Sequence, residues 1–555
     1  MSLGWKDVSL FFLMGILAAC GILYEYLISH YAGRVLGSLE TVIYSVIGLM
    51  IVSMGLGAFL ARCVPDPYKG FAYLETVIAF FGMTSIVVIG YSVGFSEYLP
   101  RIMAELFGLP SDVLAGGAIS QFAEKVAAAL PFVFAFILGL LIGIEIPLIA
   151  RIREDLYQKH LANNAGSIYG ADYIGAGLGA FFWVFLLIGL PSTESAVIIS
   201  ALNLMVGLTF AVIFRHKLGK AFWALLIIHV CLSAGVLLIH CNGKTMQHQM
   251  ESLLYRDSLV KSIDTPYQHI SITKKQHKNM PDNMCFFING HNQFCSRDQH
   301  AYHSMMVSPA MHAAGSPQRI LIIGGGDGLA LNEVLKWPGV TRVDLVDLDS
   351  ELIDFFANTS RNDNTYFTEL NEQSFSNPKA HIHYGDAFRY VVDTANQHKQ
   401  HFDVILIDLP DPSHPNLNKL YSTAFYQGIY RLLNENGVVA IQSTSPHFAK
   451  PVFLSIANTL EASGFAGTTS QYQQNIPSFG GSWGWTIAGK GSNPKETLTS
   501  LSQLKVEDNF MTPELLKAAF AFSNGYFDDK DSFPVNHLGT GTLYTLHVEA
   551  WKNYQ

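Results

Sequence analysis

Apolar and polar positions divide this chain into two halves with different periods. Nearly all the long apolar runs fall in the first 240 residues, and the remainder alternates short hydrophobic stretches with polar ones. Seven runs are long and apolar enough to span a bilayer as helices, near residues 8–29, 41–61, 71–94, 126–150, 172–190, 194–214 and 221–240. The first lacks a small-residue cleavage site and runs on into further spans, so it reads as a membrane helix and not as a removed signal. Gly55, Gly57, Gly175 and Gly179 are expected to make small-residue faces on which helices pack closely. Residues 95–125 are mixed and hold Pro100 and Pro110, so an interfacial or re-entrant segment is expected there instead of an eighth span. The pattern predicts a multi-pass protein of the cell (inner) membrane with the lipid bilayer as a partner.

From about Asp257 the period changes. QHISITKK (Gln268–Lys275) and MCFFINGHNQFC (Met284–Cys295) read as a small β-hairpin subdomain. A helix over Ser296–Met311 follows. The central stretch, Arg319–Asp349, reads as a buried strand (Ile320–Ile323), a glycine loop (Gly324, Gly325, Gly326, Asp327, Gly328), a helix from Leu329 to Lys336, and a second strand (Val343–Leu348) ending on acids. HIHYGDAFRYV gives a third strand ending at Gly385-Asp386, and FDVILIDLPDP a fourth ending in Asp408 and Asp411. A helix over Ser422–Leu433, the strand VVAIQST, a helix over Lys450–Ser463 and a closing hairpin in IPSFGGSWGWTIAGK complete a doubly wound α/β sheet. The expected division is a transmembrane helical domain over 1–240, a linker and β subdomain over 241–312, a Rossmann-like domain over 313–525, and a C-terminal tail over 526–555.

Composition sharpens this picture. Of 555 residues, 50% are hydrophobic and only 14% charged, too apolar for a purely soluble enzyme. The net charge of −9 argues against nucleic acid as a partner. The basic residues Arg62, Lys69, Arg151, Arg153, Lys159, Arg215, Lys217 and Lys220 share a side with Lys6, which places the N-terminus in the cytoplasm; an odd number of spans then places the second half outside. Adenosyl donors are made in the cytoplasm, which argues the opposite, so the side stays open. Cys285 and Cys295 flank an Asn289-Gly290 turn. A three-residue loop would set them opposite each other, and free thiols are preferred slightly over a disulfide. Glu25, Glu75, Glu145 and Asp172 fall inside or at the edge of the spans, where carboxyl groups are either protonated, paired or capping helix ends, or form a cation site or a polyamine path.

The glycine loop carries the chemistry. Its glycines let backbone approach a ligand, and an acid ending the next strand suits a ribose diol. Asp327 inside the loop would repel phosphate, so a positively charged nucleoside of the S-adenosyl sulfonium class fits better than a dinucleotide. No metal-type spacing of Cys or His is present, and His269, His381, His383 and His447 read as ordinary strand or surface residues. A single acid at a strand end more often caps a helix than catalyses. The weight lies in convergence, because Asp327, Asp347, Asp386, Asp408 and Asp411 all sit at carboxyl ends of predicted parallel strands, where such sheets bind ligands.

GGGDG, the acid-tipped second strand, GDAF, DLPDP, LYSTAFY and IPSFGG occur in the order found in the spermidine synthase family, the polyamine aminopropyltransferases. The resemblance spans roughly Tyr267–Phe522, including MTPELLKAAFAF, and a form fused to membrane helices is similar to a branch of that family. It implies transfer of a 3-aminopropyl group from decarboxylated S-adenosylmethionine, a co-substrate and not a tightly bound cofactor, to putrescine or a related amine, leaving 5′-methylthioadenosine. It further implies Asp408 as base, Asp411 on the acceptor amine, Asp327 on the donor's amine end, Asp347 on the ribose and Asp386 on the adenine amino group. Gln268, Tyr302 and His303 would line the donor and amine pocket, with Gly324, Gly326 and Ala387 against the nucleoside. A homodimer through the β subdomain is also implied.

Four positions depart from the family pattern: Leu329 at the last loop glycine, Leu409-Pro410 between the two acids, Phe479 at a frequent tyrosine, and Gln299 in an acid pair. None removes Asp408 or Asp327, so the doubt falls on the acceptor. Competing readings are a polyamine transporter or sensor that only binds, and a methyltransferase using S-adenosylmethionine, whose carboxylate Asp327 would repel.

Overall fold

The computed structural model describes residues 5–36, 39–108, 117–157, 162–276, 280–397 and 401–552. They fall into two compact units, Met1–Leu259 and Val260–Gln555.

The first unit is helical: α1 (Trp5–Leu36), α2 (Leu39–Leu60), α3 (Pro67–Leu106), α4 (Ala118–Tyr157), α5 (Ala162–Phe182), α6 (Ser192–Ile213), the single turn α7 (Arg215–Leu218) and α8 (Ala221–Ser252). Among the described residues, seven helices are long and apolar enough to cross a membrane. Helix α3 starts where Asp66 accepts hydrogen bonds from the amides of Tyr68 (3.0 Å) and Lys69 (3.2 Å), with Pro67 at its first position. It runs on through Pro100, and α4 begins at Ala118, so the described parts of 95–125 extend the flanking helices and do not form a separate interfacial segment. Pro110 and Lys159 lie outside the described residues. Glycines set the closest approaches: a Cβ on Gly57 would come 2.0 Å from Leu140 O, and one on Gly175 2.1 Å from Gly15 O. Gly179 is similarly tight against Ala19 and Ile22, whereas Gly55 faces open space. Two residues are about 200° apart on a helix, so Gly55 and Gly57 do not share a packing face.

The second unit opens with the antiparallel sheet β1 (Ser258–Asp264), β2 (His269–Lys275), β3 (Asn283–Ile288) and β4 (His291–Cys295). The β3–β4 loop has two residues, Asn289 and Gly290, both at positive φ, and not the expected three. A register shift between Phe286 and Phe287 supplies the missing residue and sets Cys285 opposite Cys295, where the structure joins them in a disulfide. The preferred reading of free thiols is corrected accordingly.

Helix α9 (Gln299–Ala314) leads into the main sheet, which has seven strands in the order β10-β11-β9-β8-β5-β6-β7. These are β5 (Arg319–Gly324), β6 (Arg342–Asp347), β7 (Ala380–Tyr384), β8 (Phe402–Asp408), β9 (Leu433–Gln442), β10 (Thr469–Ile476) and β11 (Gly481–Gly489). Strands β5 to β9 run parallel, and β10 and β11 close the sheet as an antiparallel hairpin. Ile320–Ile323 and Val404–Ile407 are fully buried, as runs covered on both faces must be. The helices between are α10 (Leu329–Leu335), α11 (Ser350–Ala357), α12 (Thr365–Leu370), α13 (Ala387–Gln397), α14 (Thr423–Leu432) and α15 (Lys450–Leu460). Two short helices, α16 (Pro494–Thr499) and α17 (Pro513–Ala519), precede α18 (Thr542–Lys552), which buries Leu543 and Ala550 in the core around β8 and α15. This is a Rossmann-like sheet. Strand order reverses at β5, between β8 and β6, which is where such sheets open a ligand crevice.

Candidate active site

The glycine loop sits at that reversal, in contact with two carboxylates. Gly324 pairs with Asp408 across β5 and β8, and at φ 80° a Cβ there would come 2.1 Å from Asp408 O. A Cβ on Gly325 would come 3.5 Å from Asp408 Oδ2, and one on Gly326 2.8 Å from Asp347 Oδ2. The loop therefore brings Asp408 and Asp347 to either side of one strip of bare backbone.

Asp408 accepts a hydrogen bond from the Tyr302 hydroxyl at 2.7 Å. Tyr302 reaches it from α9, held by Phe479 and Trp485 at ring distances of 5.5 Å each. Burial lifts the Asp408 carboxyl to about 6; His303 pulls it down, Asp327 pushes it up and the tyrosine bond offsets part of the rise. His303 is buried on the same helix with Nδ1 2.7 Å from Gln299 O, and burial lowers it. Asp327 is likewise lifted to about 6 by burial, against one hydrogen bond from the Leu329 amide at 2.8 Å. Asp347 also rises to about 6 through burial and the charges of Asp349 and Asp327, against backbone hydrogen bonds. Three half-buried acids pushed upward together form a site short of positive charge.

Asp411 differs. Burial pushes it upward, but hydrogen bonds outweigh burial and leave it below the usual carboxylate range. Gln442 Nε2 donates to it at 2.8 Å and Thr444 Oγ1 at 2.9 Å, while His547 Nε2 lies 3.4 Å away. The segment between the two acids is held through main-chain carbonyls: Leu409 O accepts from Gln442 and Pro410 O from the Tyr421 hydroxyl. Leu409-Pro410 can thus replace small polar residues without loosening the turn.

The remaining expected residues are more occupied. Asp349 caps α11 and accepts from Thr265 Oγ1 (2.6 Å) and Gln268 Nε2 (2.8 Å), so Gln268 is held against Asp349. Asp347, whose Oδ1 accepts from the Asp349 amide, is the one of the two that faces the loop. Asp386 pairs with Lys419 and accepts from the Arg389 amide at 3.2 Å, at the start of the helix that Ala387 opens. Burial pushes its carboxyl up, and Lys419 more than reverses this. Leu329 is buried against the β-hairpin subdomain with Phe355 and Phe356, which accounts for a large side chain where a glycine is usual. The sequence reading missed Gln442, Thr444, Lys419 and His547. Gln442 ends β9 and Thr444 lies two residues beyond it, a signal that was legible; His547 lies 136 residues from Asp411 and had none.

The arrangement is that of a Rossmann-type enzyme with acidic side chains gathered at the carboxyl edge of its sheet. Residues 299–499 match the spermine/spermidine synthase domain. The polyamine aminopropyltransferase of Shewanella oneidensis is 41% identical over 560 residues, covering 100% of this chain and 96% of its own. That of Oceanobacillus iheyensis is 30% identical over 553 residues, covering 97% of each. A solved spermidine synthase in complex with the transition-state analogue AdoDATO shares 25% identity, covering 49% of this chain and 88% of its own at a TM-score of 0.43. The chain belongs to the polyamine aminopropyltransferase family and is an enzyme of that class. Decarboxylated S-adenosylmethionine is the co-substrate of the class.

Proposed function

We propose that this chain is a membrane-anchored aminopropyltransferase that makes a spermidine-type polyamine from putrescine or a related diamine. The acceptor nitrogen attacks the propyl carbon bonded to the sulfonium. The carbon–sulfur bond breaks, its electron pair stays on sulfur, and neutral 5′-methylthioadenosine leaves. No general acid is needed. The acceptor is the obstacle, because an alkylammonium with a pKa of about 10 has no lone pair until it gives up a proton.

Asp408 takes that proton, and the observation that carries the assignment is its position: half-buried, facing the glycine loop, and oriented by Tyr302. A carboxyl lifted to about 6 is a better base than an ordinary aspartate and is still ionised at neutral pH. Asp411, kept charged by His547, Gln442 and Thr444, holds the acceptor's ammonium; Asp327 takes the donor's amine end and Asp347 the ribose. Asp386 and Ala387 flank the adenine, with Lys419 neutralising the aspartate's charge.

The helical unit is the anchor. It shows lipid-compatible residues outward, with Phe12, Phe59, Phe122, Tyr173 and Trp223 all more than 60% exposed. A homodimer through the β subdomain accompanies this reading on the family resemblance alone. The test is a screen of donors and amines by mass spectrometry on the full chain. Release of methylthioadenosine with a diamine supports the proposal. No release with any diamine, or methyl transfer from S-adenosylmethionine, opposes it.

A further inference from the structure

The helical unit contains a buried polar cluster that anchoring does not explain. Glu75 on α3, Asn203 on α6 and His229 on α8 are 0%, 1% and 3% exposed. Asn203 Nδ2 donates to Glu75 Oε2. Glu75 Oε1, Asn203 Oδ1 and His229 Nε2 have no hydrogen-bond partner. His229 Nδ1 lies 2.8 Å from Leu225 O. A carbonyl can only accept, so the neutral ring carries its proton on Nδ1 and presents a lone pair at Nε2.

The three groups meet at one place. A Cβ on Gly207, one turn beyond Asn203 on α6, would come 2.9 Å from His229 Nε2 and 3.1 Å from Glu75 Cβ. Gly207 therefore lets α6 come directly against His229 and Glu75, with no side chain between the helices. On the same face of α6, Ser200 accepts from the Tyr24 hydroxyl at 3.1 Å, so the polar strip continues toward α1. Buried polar atoms are nearly always paired, and three unpaired atoms on neighbouring side chains call for a partner that brings donors. Among the described residues no group of three His, Cys, Asp or Glu side chains is placed to hold a metal ion. A protonated primary amine supplies three N–H donors and the one positive charge that a single carboxylate balances.

We infer that Glu75, Asn203 and His229 form a second amine site, inside the helical unit, that takes the terminal ammonium of a diamine or polyamine. The choice of amine rests on the proposed function; the site itself does not. Its carboxylate, amide oxygen and imidazole would each accept one N–H.

Equilibrium dialysis of radiolabelled putrescine against the full chain in lipid nanodiscs tests this, with methylthioadenosine release measured on the same samples. Wild type is expected to bind one equivalent beyond that held at Asp411. Glu75→Gln and His229→Leu should each lose that equivalent, with release rates within twofold of wild type. Gly207→Ala, which pushes His229 Nε2 and Glu75 apart without removing a polar group, should do the same, and methylthioadenosine release at the wild-type rate shows that each variant is folded. A wild-type chain binding a single equivalent, an unchanged count in all three variants, or displacement of the second equivalent by sodium chloride but not choline chloride would overturn the inference. Loss of methylthioadenosine release in wild type would instead count against the proposed function and leave the dialysis count standing.

Discussion

His547 Nε2 lies 3.4 Å from Asp411 Oδ2 and 3.1 Å from the Trp551 indole nitrogen, so helix α18 reaches the Asp411 carboxylate. Trp551 is itself stacked on Phe448 at 5.5 Å, which fixes α18 against the loop that follows β9. A residue beside the acid proposed to hold the acceptor should affect acceptor binding more than the chemical step. His547→Leu removes a polar neighbour from a buried carboxylate, at a cost of about 1–2 kcal/mol. The acceptor KM is expected to rise roughly tenfold with kcat changed less than threefold. A collapse of kcat at unchanged KM would place His547 in the chemistry instead.

The pH profile follows from Asp408. Its carboxyl is raised to about 6, so it is protonated below that value and unable to take a proton. The rate at saturating donor is expected to climb as pH rises through about 6 and to level off above it. A profile flat from pH 5 to 8 would show that another group, or water, receives the proton.

Donor selectivity should titrate in the same range. Asp327 and Asp347, both raised to about 6, must be ionised to attract a cation. Isothermal titration should show decarboxylated S-adenosylmethionine gaining about tenfold in affinity between pH 5 and pH 7, while neutral methylthioadenosine changes much less. Equal gains for both ligands would remove charge from the account of donor recognition.

The glycine loop is expected to tolerate no side chain at its third position. Gly326→Ala would put a Cβ 2.8 Å from Asp347 Oδ2. The donor KM should rise at least tenfold, with the β-sheet spectrum of the protein intact. An unaffected donor KM would mean that Asp347 does not hold the nucleoside.

Much of this architecture is legible in the chain itself. Continuous apolar runs such as Ile320–Ile323 announce strands covered on both faces, and the glycine loop fixes where the sheet opens. The acids at strand ends were legible as a set but not one by one, since spacing does not separate a cap from a ligand-facing carboxylate. Asp349 and Asp347 are two residues apart, yet one caps α11 and holds Gln268 while the other faces the loop. The register shift that pairs Cys285 with Cys295 left no local signature, because a bulge depends on how the partner strand twists. His229 and Asn203 read as isolated polar residues in apolar runs, and only the packing of α3, α6 and α8 brings them to Glu75.

The most direct measurement is a comparison of wild type with Asp408→Asn, in which donor binding is followed by calorimetry and methylthioadenosine release by mass spectrometry. The substitution keeps the shape and the Tyr302 contact but removes the proton acceptor. Release is expected to fall by at least two to three orders of magnitude, with donor affinity within about threefold of wild type. Turnover near the wild-type rate in the asparagine variant would contradict the claim that Asp408 strips the acceptor amine of its proton.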